Sequence, residues 1–542
     1  MREIITLQLG QRSNYLATHF WNAQESYFTY GAEEESPVDH DVHFRPGIGT
    51  DGTETFMPRT VIYDLKGGFG TLRKINALYE IDGDAAASSL WPGQPVVHKQ
   101  QPIDASAYQG SLDAGQTPPE LTTSTVRYWS DFNRVFFHPR SVVQLSEYEL
   151  NSAIMPFEKW NMGEELFASL DKEHDLLDRD LRPFVEEADQ MQGLQVMTGI
   201  DDAWGGFAAR YAERLRDEYG KAPIWVFGVQ EPLRGLPREK RFLKLVNKAR
   251  ALTELNSQAS LVIPLALPEG PLPSSVRLNP SSPWHVSALF AAALESTTLY
   301  TRLRTSDRIY SSNLGDMTDL LNVFGKQTIA NLGMSIPEAQ APRQNGATNG
   351  ISNGLNGRGE RAGDGGDVEE DGSDSGSQKG VAALDIDLSS PQDLSLDPNR
   401  GRKWRKRHVF SQVIADRGPL QDPEQAGRRD AEMRDRDTYG LRRRPKVHNY
   451  HSRVAFPLID SYPAIFSRGG GGEDGEEDRR HLPVRTALST DSTVADKIRA
   501  LRSAVVRSIS LEDREMVGNE LAEIADGYRE GWSSGSDSDD ED

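Results

Sequence analysis

Residues Gly193 to Gln230 read GLQVMTGIDDAWGGFAARYAERLRDEYGKAPIWVFGVQ, the pattern of a strand, a loop, a helix and a second strand. Leu194 and Val196-Met197 predict the first strand, Thr198-Gly199-Ile200-Asp201-Asp202 the loop, and a helix begins near Ala203. Trp204, Phe207, Ala208, Tyr211 and Leu215 fall at i, i+3, i+4, i+7 and i+11, one face of an α-helix. Gly220 stops it, and Pro223-Ile224-Trp225-Val226-Phe227-Gly228-Val229 is almost wholly apolar, as a strand covered on both faces must be. This is a βαβ unit, with its loop at the carboxyl end of a strand, where α/β folds bind ligands. A second amphipathic helix carrying Phe242, Leu245, Val246, Ala249 and Leu252 leads into another strand, Ser260-Leu261-Val262-Ile263-Pro264. The repetition predicts an α/β fold around a Rossmann-type parallel sheet with flanking helices.

Working outward, Met1-Arg2-Glu3-Ile4-Ile5-Thr6-Leu7-Gln8-Leu9 alternates like a half-buried strand and lacks the Arg-rich, acid-poor character of a transit peptide. Globular texture runs to about Pro337 and is divided into a segment 1–115 and a segment 116–337 that completes the nucleotide-domain-like fold. Residues 338–400 are read as a mostly disordered linker, because Gly, Asn, Ser and acids leave too little apolar surface to offset chain entropy. Residues 401–532 are read as a second, smaller α/β domain. It has a strand-like Val454-Ala455-Phe456-Pro457-Leu458-Ile459 and helical patterns at about Val494 to Ser508 and Leu511 to Tyr528. The loop from Gly469 to Asp474 and the acidic tail 533–542 are expected to be disordered.

Composition narrows the function classes. The formal charge of -21 opposes wholesale binding to nucleic acid. The chain has 0 cysteines, which removes disulfides, thiolate catalysis and cysteine-ligated zinc. Its 11 histidines show no metal-binding spacing. No apolar run approaches the roughly 20 residues needed to cross a bilayer, so a soluble or peripheral protein is expected.

Three ordered blocks carry a resemblance. Met1-Arg2-Glu3-Ile4-Ile5 through Gly10-Gln11-Arg12-Ser13-Asn14 to Phe20-Trp21 resembles the tubulin N-terminus. Pro58-Arg59-Thr60-Val61-Ile62-Tyr63-Asp64-Leu65 resembles the tubulin strand ending D-L-E-P, and Gln192-Gly193-Leu194-Gln195 the Q-G-F-Q strand entry. With Trp129-Ser130-Asp131-Phe132 and Phe137-His138-Pro139 and a divergent middle, the chain is similar to the Misato family of tubulin-like proteins. That resemblance implies a role in mitochondrial distribution and mitochondrial DNA inheritance. It also implies protein partners of cytoskeletal or mitochondrial-surface type; with no organellar presequence read, residence in the cytoplasm and peripherally on the mitochondrial exterior is expected.

Tubulins hold GTP with a loop GQ-x-G-N-Q and a glycine-rich phosphate loop, whose bare backbone approaches the phosphates. Gly10, Gln11 and Asn14 match the first loop, with Ser13 in place of its second glycine; Asp64 matches the D-L-E-P block and Gly199 the second loop. These five residues form the vestigial guanine-nucleotide site that the resemblance implies. The second loop is otherwise Ile200-Asp201-Asp202-Ala203-Trp204-Gly205-Gly206, with bulk and two carboxylates where the family has glycines. Each acid–phosphate contact near 4 Å repels by about 4 kcal/mol at an effective dielectric near 20. A divalent cation would reverse that sign; capping of the following helix by Asp201 or Asp202 is the preferred reading. In the same register the metal-associated acid falls on Lys66 and the guanine-reading asparagine on Val286, and Gly315-Asp316-Met317-Thr318-Asp319-Leu320 matches the hydrolysis loop only loosely. No catalytic residue and no metal ligand is therefore assigned; GTP is the one cofactor the resemblance allows. Gly67-Gly68-Phe69-Gly70 imitates a phosphate loop, but a tight strand-to-helix turn accounts for its glycines.

Three charged segments remain. Arg402-Lys403-Trp404-Arg405-Lys406-Arg407-His408 suits anionic lipid, nucleic acid or import, against a solvated cluster as the preferred reading, and Arg442-Arg443-Arg444-Pro445-Lys446 shares the ambiguity. The serine-rich acidic tail suits acid-directed kinases or simple solubilisation. Three functions are in view: a non-catalytic tubulin-like scaffold in mitochondrial partitioning, which leads; a GTP-binding, polymer-forming GTPase; and a membrane-surface or nucleic-acid adaptor acting through residues 402–408.

Overall fold

The computed structural model describes residues 2–29, 35–48, 54–72, 103–268, 270–304, 312–337, 384–389, 407–418, 445–467, 480–507 and 511–529. The loop 469–474, the tail 533–542, residues 402–406 of the basic run and all of the expected linker 338–400 except 384–389 lie outside them.

Among the described residues the strands are β1 Ile4–Leu9, β2 Phe44–Ile48, β3 Glu54–Pro58, β4 Thr60–Lys66, β5 Val142–Glu149, β6 Gly193–Gly199, β7 Ile224–Val229 and β8 Leu261–Leu265. After these come β9 Asn331–Ser335, β10 Ile386–Asp387, β11 Val409–Arg417, β12 Lys446–Ser452, β13 Phe456–Pro457, β14 His481–Leu482 and β15 Val484–Asp491. The helices are α1 Gln11–Glu25, α2 Ala107–Asp113, α3 Trp160–His174, α4 Arg182–Glu186, α5 Ala203–Glu218, α6 Arg238–Gln258, α7 Pro283–Thr298, α8 Leu314–Leu321, α9 Thr493–Val505 and α10 Leu511–Gly527.

The βαβ unit read from Gly193 to Gln230 is present as β6–α5–β7, and α5 ends at Glu218, two residues before Gly220. A six-stranded sheet runs in the order β5-β4-β1-β6-β7-β8, and every neighbouring pair in it is parallel. Except for the edge strand β5, its strands are buried on both faces, which is why they are rich in apolar residues. Ile5, Leu7 and Leu9 of β1 join a core with residues of α3, α5, α6, α9 and α10, while Ile4 joins the opposite core with residues of α1 and α7. All three aligned blocks are neighbours here, since β1 pairs with β4 on one side and with β6 on the other, the latter in the register Ile4↔Gly193 through Leu9↔Thr198.

The second sheet has the order β10-β9-β15-β11-β12, antiparallel except for β11–β12. Helix α7 lies between the two sheets and packs on α1 as well as on β15 and β11. Its apolar character all round, PWHVSALFAAALESTT, comes from being covered on every side. A fully buried charge cluster sits there: Glu295 of α7 accepts from Arg302 Nη2 at 2.7 Å and pairs with Arg417 of β11. The strand-like Val454–Ile459 reduces to the two residues of β13. The two C-terminal helices lie where their patterns place them, as α9 and α10.

Candidate functional site

The strand order reverses about β1. The chain leaves β1 for β4 on one side and later enters β6 on the other, so the loops after β1 and β6 face each other across the crevice where open α/β sheets take ligands. Gly10-Gln11-Arg12 occupy one lip and Gly199-Ile200-Asp201-Asp202 the other.

Gly10 caps α1 with φ 85° and ψ 170°, a conformation that costs glycine nothing. A Cβ at this position would overlap the Trp204 indole, so the tryptophan lies directly on the bare backbone of the first loop. Trp204 is buried, with Phe157 from the loop after β5 at 5.3 Å between ring centroids and Tyr148 of β5 4.8 Å beyond Phe157. The Trp204 indole thus fills the space over Gly10, backed by an edge-on Phe157 and a tilted Tyr148.

The acids of the second loop are held by this chain's own cations. Asp202 caps α5, accepting from the Trp204 amide at 3.0 Å as the capping reading requires. Arg12 donates Nη1 to Asp201 Oδ1 at 2.6 Å and Nη2 to Asp202 Oδ2. Asp201 also receives Lys244 Nζ at 3.4 Å and the Glu231 amide at 2.9 Å, and Lys244 reaches Glu231 at 2.7 Å. Burial acts to raise the Asp201 carboxyl, but Arg12 and Lys244 hold it below its ordinary value. Burial dominates at Asp202, which is raised, with the neighbouring Asp201 adding to the shift over the pull of Arg12. Burial likewise acts against the charged Arg12, but the three acids around it hold its proton more firmly than in water. The cation that bridges the two aspartates is therefore Arg12. Among the described residues no group of three or more His, Asp or Glu side chains converges to hold a metal ion.

The other aligned residues meet behind this latch. Asp64, fully buried at the end of β4, accepts from Gln11 Nε2 at 2.7 Å, Asn14 Nδ2 at 2.6 Å and the Leu65 amide at 2.8 Å. Burial pushes its carboxyl up to about 7 against these hydrogen bonds. Asn14 Oδ1 and Ser13 Oγ are buried beside it without a hydrogen-bond partner among the described residues. Gly67, with φ 86°, and Gly70, with φ 54°, turn the chain after β4. The Gly68 carbonyl accepts from Gln11 and, at 2.9 Å, from Trp129 Nε1. The Gly67–Gly70 cluster is thus a turn that supports Gln11; the helix expected after it would fall on residues 73–102, outside the described residues.

Gly10, Gln11, Asn14, Asp64 and Gly199 are all brought to this one crevice. Lys66 is exposed at the end of β4, and Val286 is on α7, packed on the core beside it. Gly315–Leu320, aligned loosely with a hydrolysis loop, lies instead on helix α8, because Asn313 and Asp316 form a capping box that starts a helix there. Sequence reading did not find Arg12, Glu231 and Lys244 as partners of the aspartates, and no local pattern joins residues 189 positions apart. A phosphate entering this crevice would meet the indole and two carboxylates that already have their counterions. The residues present do not fit a triphosphate.

Residues 2–114 match the Misato Segment II tubulin-like domain and residues 118–303 a tubulin domain. The chain is 53% identical to Protein dml-1 of Neurospora crassa over 559 residues, covering 100% of both. It is 48% identical to Protein DML1 of Gibberella zeae over 544 residues, again covering 100% of both. Against Protein dml1 of Schizosaccharomyces pombe the identity is 34% over 355 residues, with 61% of this chain and 72% of that protein covered.

Proposed function

The chain belongs to the Misato family of tubulin-like proteins, and from that membership we propose that it is a non-catalytic scaffold in the distribution of mitochondria and the inheritance of their DNA. One observation carries the non-catalytic part: Arg12 clamps Asp201 and Asp202 while Trp204 covers Gly10, so the chain's own side chains take the place of a nucleotide's phosphates. The mitochondrial part is supported by the family resemblance alone. In this reading the protein works through protein contacts, in the cytoplasm and peripherally on the mitochondrial exterior. Among the described residues no helix is long and apolar enough to cross a membrane. Depleting the protein is expected to disturb mitochondrial distribution and mitochondrial DNA content, and externally added protease is expected to digest the mitochondrion-associated fraction. Normal mitochondria after depletion, or a fully protected protein, would refute these assignments.

A second reading, a GTP-binding and polymerising protein, is favoured by one observation: Gln11 and Asn14 still converge on Asp64 at the carboxyl ends of β1 and β4. Arg407, where the basic run reaches the fold, binds Asp491 at 2.8 Å. That contact gives the end of the run a structural role and does not add weight to an adaptor function.

A further inference from the structure

Beside the Arg12 latch, a small crevice opens at the carboxyl end of β7 against one face of α6, lined by Asp201, Gln230, Glu231, Lys244, Leu245 and Lys248. Its polar groups divide into two sets. The carboxylates are saturated: Asp201 takes Arg12, Lys244 and the Glu231 amide, and Glu231 takes Lys244 and Arg12. The remaining donors have no acceptor among the described residues. Gln230, 4% exposed, buries its Nε2 without one. Lys248 is 7% exposed, and only the charges of Lys497 and Asp201 act on it, with no hydrogen bond. Burial first, and then repulsion by Lys497, pulls the Lys248 ammonium down to about 8. The buried Gln230 N–H without an acceptor carries an uncompensated desolvation cost, and Lys248 brings an ammonium to the same crevice. The crevice lacks one acceptor, and one negative charge there would serve both. Its volume of about 10 Å³ admits one water-sized group, so a larger ligand places at most a single atom there.

We propose that this crevice is a binding site for a small anion, a halide ion or a single carboxylate oxygen, held between Lys248 Nζ and Gln230 Nε2. The site does not depend on the scaffold reading, because its donors are separate from the groups that meet at Gly10 and Asp64. Binding there stabilises the loop after β7, since the same anion draws α6 and Gln230 together.

The test is thermal unfolding of the full-length protein at pH 7 and fixed ionic strength, with sodium methanesulfonate replaced stepwise by sodium chloride or sodium acetate. A ligand that binds only the folded state raises the midpoint in a saturable way, by several degrees at a large excess over Kd. Such a rise is expected with chloride or acetate, and its absence with methanesulfonate, whose weakly basic sulfonate oxygens are poor acceptors. A response to chloride alone assigns a halide site, and a response to both assigns one that also takes a carboxylate, such as a partner's acidic side chain. Lys248→Met is expected to abolish the dependence while leaving the baseline midpoint unchanged or higher, because it removes an unpaired buried charge. Should that variant not fold, excess chloride-35 NMR linewidth on the wild type, diminished in Gln230→Leu, gives the same answer. Equal midpoints in all the salts, no excess linewidth, or an undiminished dependence in Lys248→Met would overturn the proposal.

Discussion

The guanidinium of Arg12, on the first turn of α1, donates to the Asp201 carboxylate at 2.6 Å across 189 residues of chain, and its second nitrogen holds Asp202. Asp201 is 4% exposed and Asp202 15%, so neither carboxylate keeps enough water to stand alone. Arg12→Ala is expected to lower folding stability by about 3 kcal/mol, the scale for stranding a buried partner. Arg12→Lys, which keeps the charge but loses the planar fork, is expected to fall between the two. Urea unfolding at pH 7 measures both; an alanine variant within experimental error of wild type would show that the latch carries no weight.

Asp64 supplies a pH dependence of definite sign. Its carboxyl is raised from 3.8 to about 7 in the folded state, so between those values the folded protein binds the extra proton and its stability falls as pH rises. From pH 6 to 8 the expected loss from this group is about 1.4 kcal/mol. Asp64→Asn is expected to remove that slope at a pH-independent cost, since both Asp64 oxygens accept from N–H donors and an amide keeps only one acceptor oxygen. Buried His19, pulled down to about 3 by burial, acts in the opposite sense, and stability contributed by its neutral form is lost as pH falls below its ordinary value. The comparison is therefore the difference between wild type and Asp64→Asn across pH, tracked by unfolding midpoint; parallel curves would contradict the assignment.

Glu295 is the buried acid answering both Arg302 and Arg417, and all three side chains are fully enclosed where α7 meets the second sheet. Glu295→Ala leaves two buried guanidinium groups facing each other and is expected to cost about 3–5 kcal/mol. Because Arg417 belongs to β11 and Glu295 to α7, limited proteolysis is expected to cut this variant faster between the two sheets. Wild-type digestion kinetics would show that the cluster does not couple them.

Gly10→Ala is expected to destabilise for two separable reasons, the positive φ and the overlap with Trp204. A double-mutant cycle with Trp204→Ala separates them, since only the overlap disappears when the indole is removed. A coupling of at least about 1 kcal/mol is expected; additive effects would place the indole away from the loop.

The fold was legible where local pattern and burial agree. β6, α5 and β7 were readable because an apolar strand covered on both faces and a helix with one apolar face leave distinct spacings, and a cap by Asp201 or Asp202 was readable from their place before Ala203, the structure choosing Asp202. The shared crevice of Gly10, Gln11, Asn14, Asp64 and Gly199 came from the resemblance in register. The closure of the crevice was not legible. Trp204 announced bulk in a glycine position but not that its indole would cover Gly10. Arg12, read only as one letter of a loop, acquires its role when β1 pairs with β6 and the two lips face each other. The partnership of Lys244 and Glu231 with Asp201 likewise depends on how α6 and the end of β7 pack, which no spacing within either segment encodes.

The most direct test of the closed crevice is nucleotide occupancy: the purified full-length protein is denatured, released GTP and GDP are quantified, and GTP is titrated into the intact protein by calorimetry. A crevice closed by Arg12 and Trp204 predicts no bound guanine nucleotide and no titratable heat; near-stoichiometric nucleotide would contradict it and put the GTP-binding reading in its place.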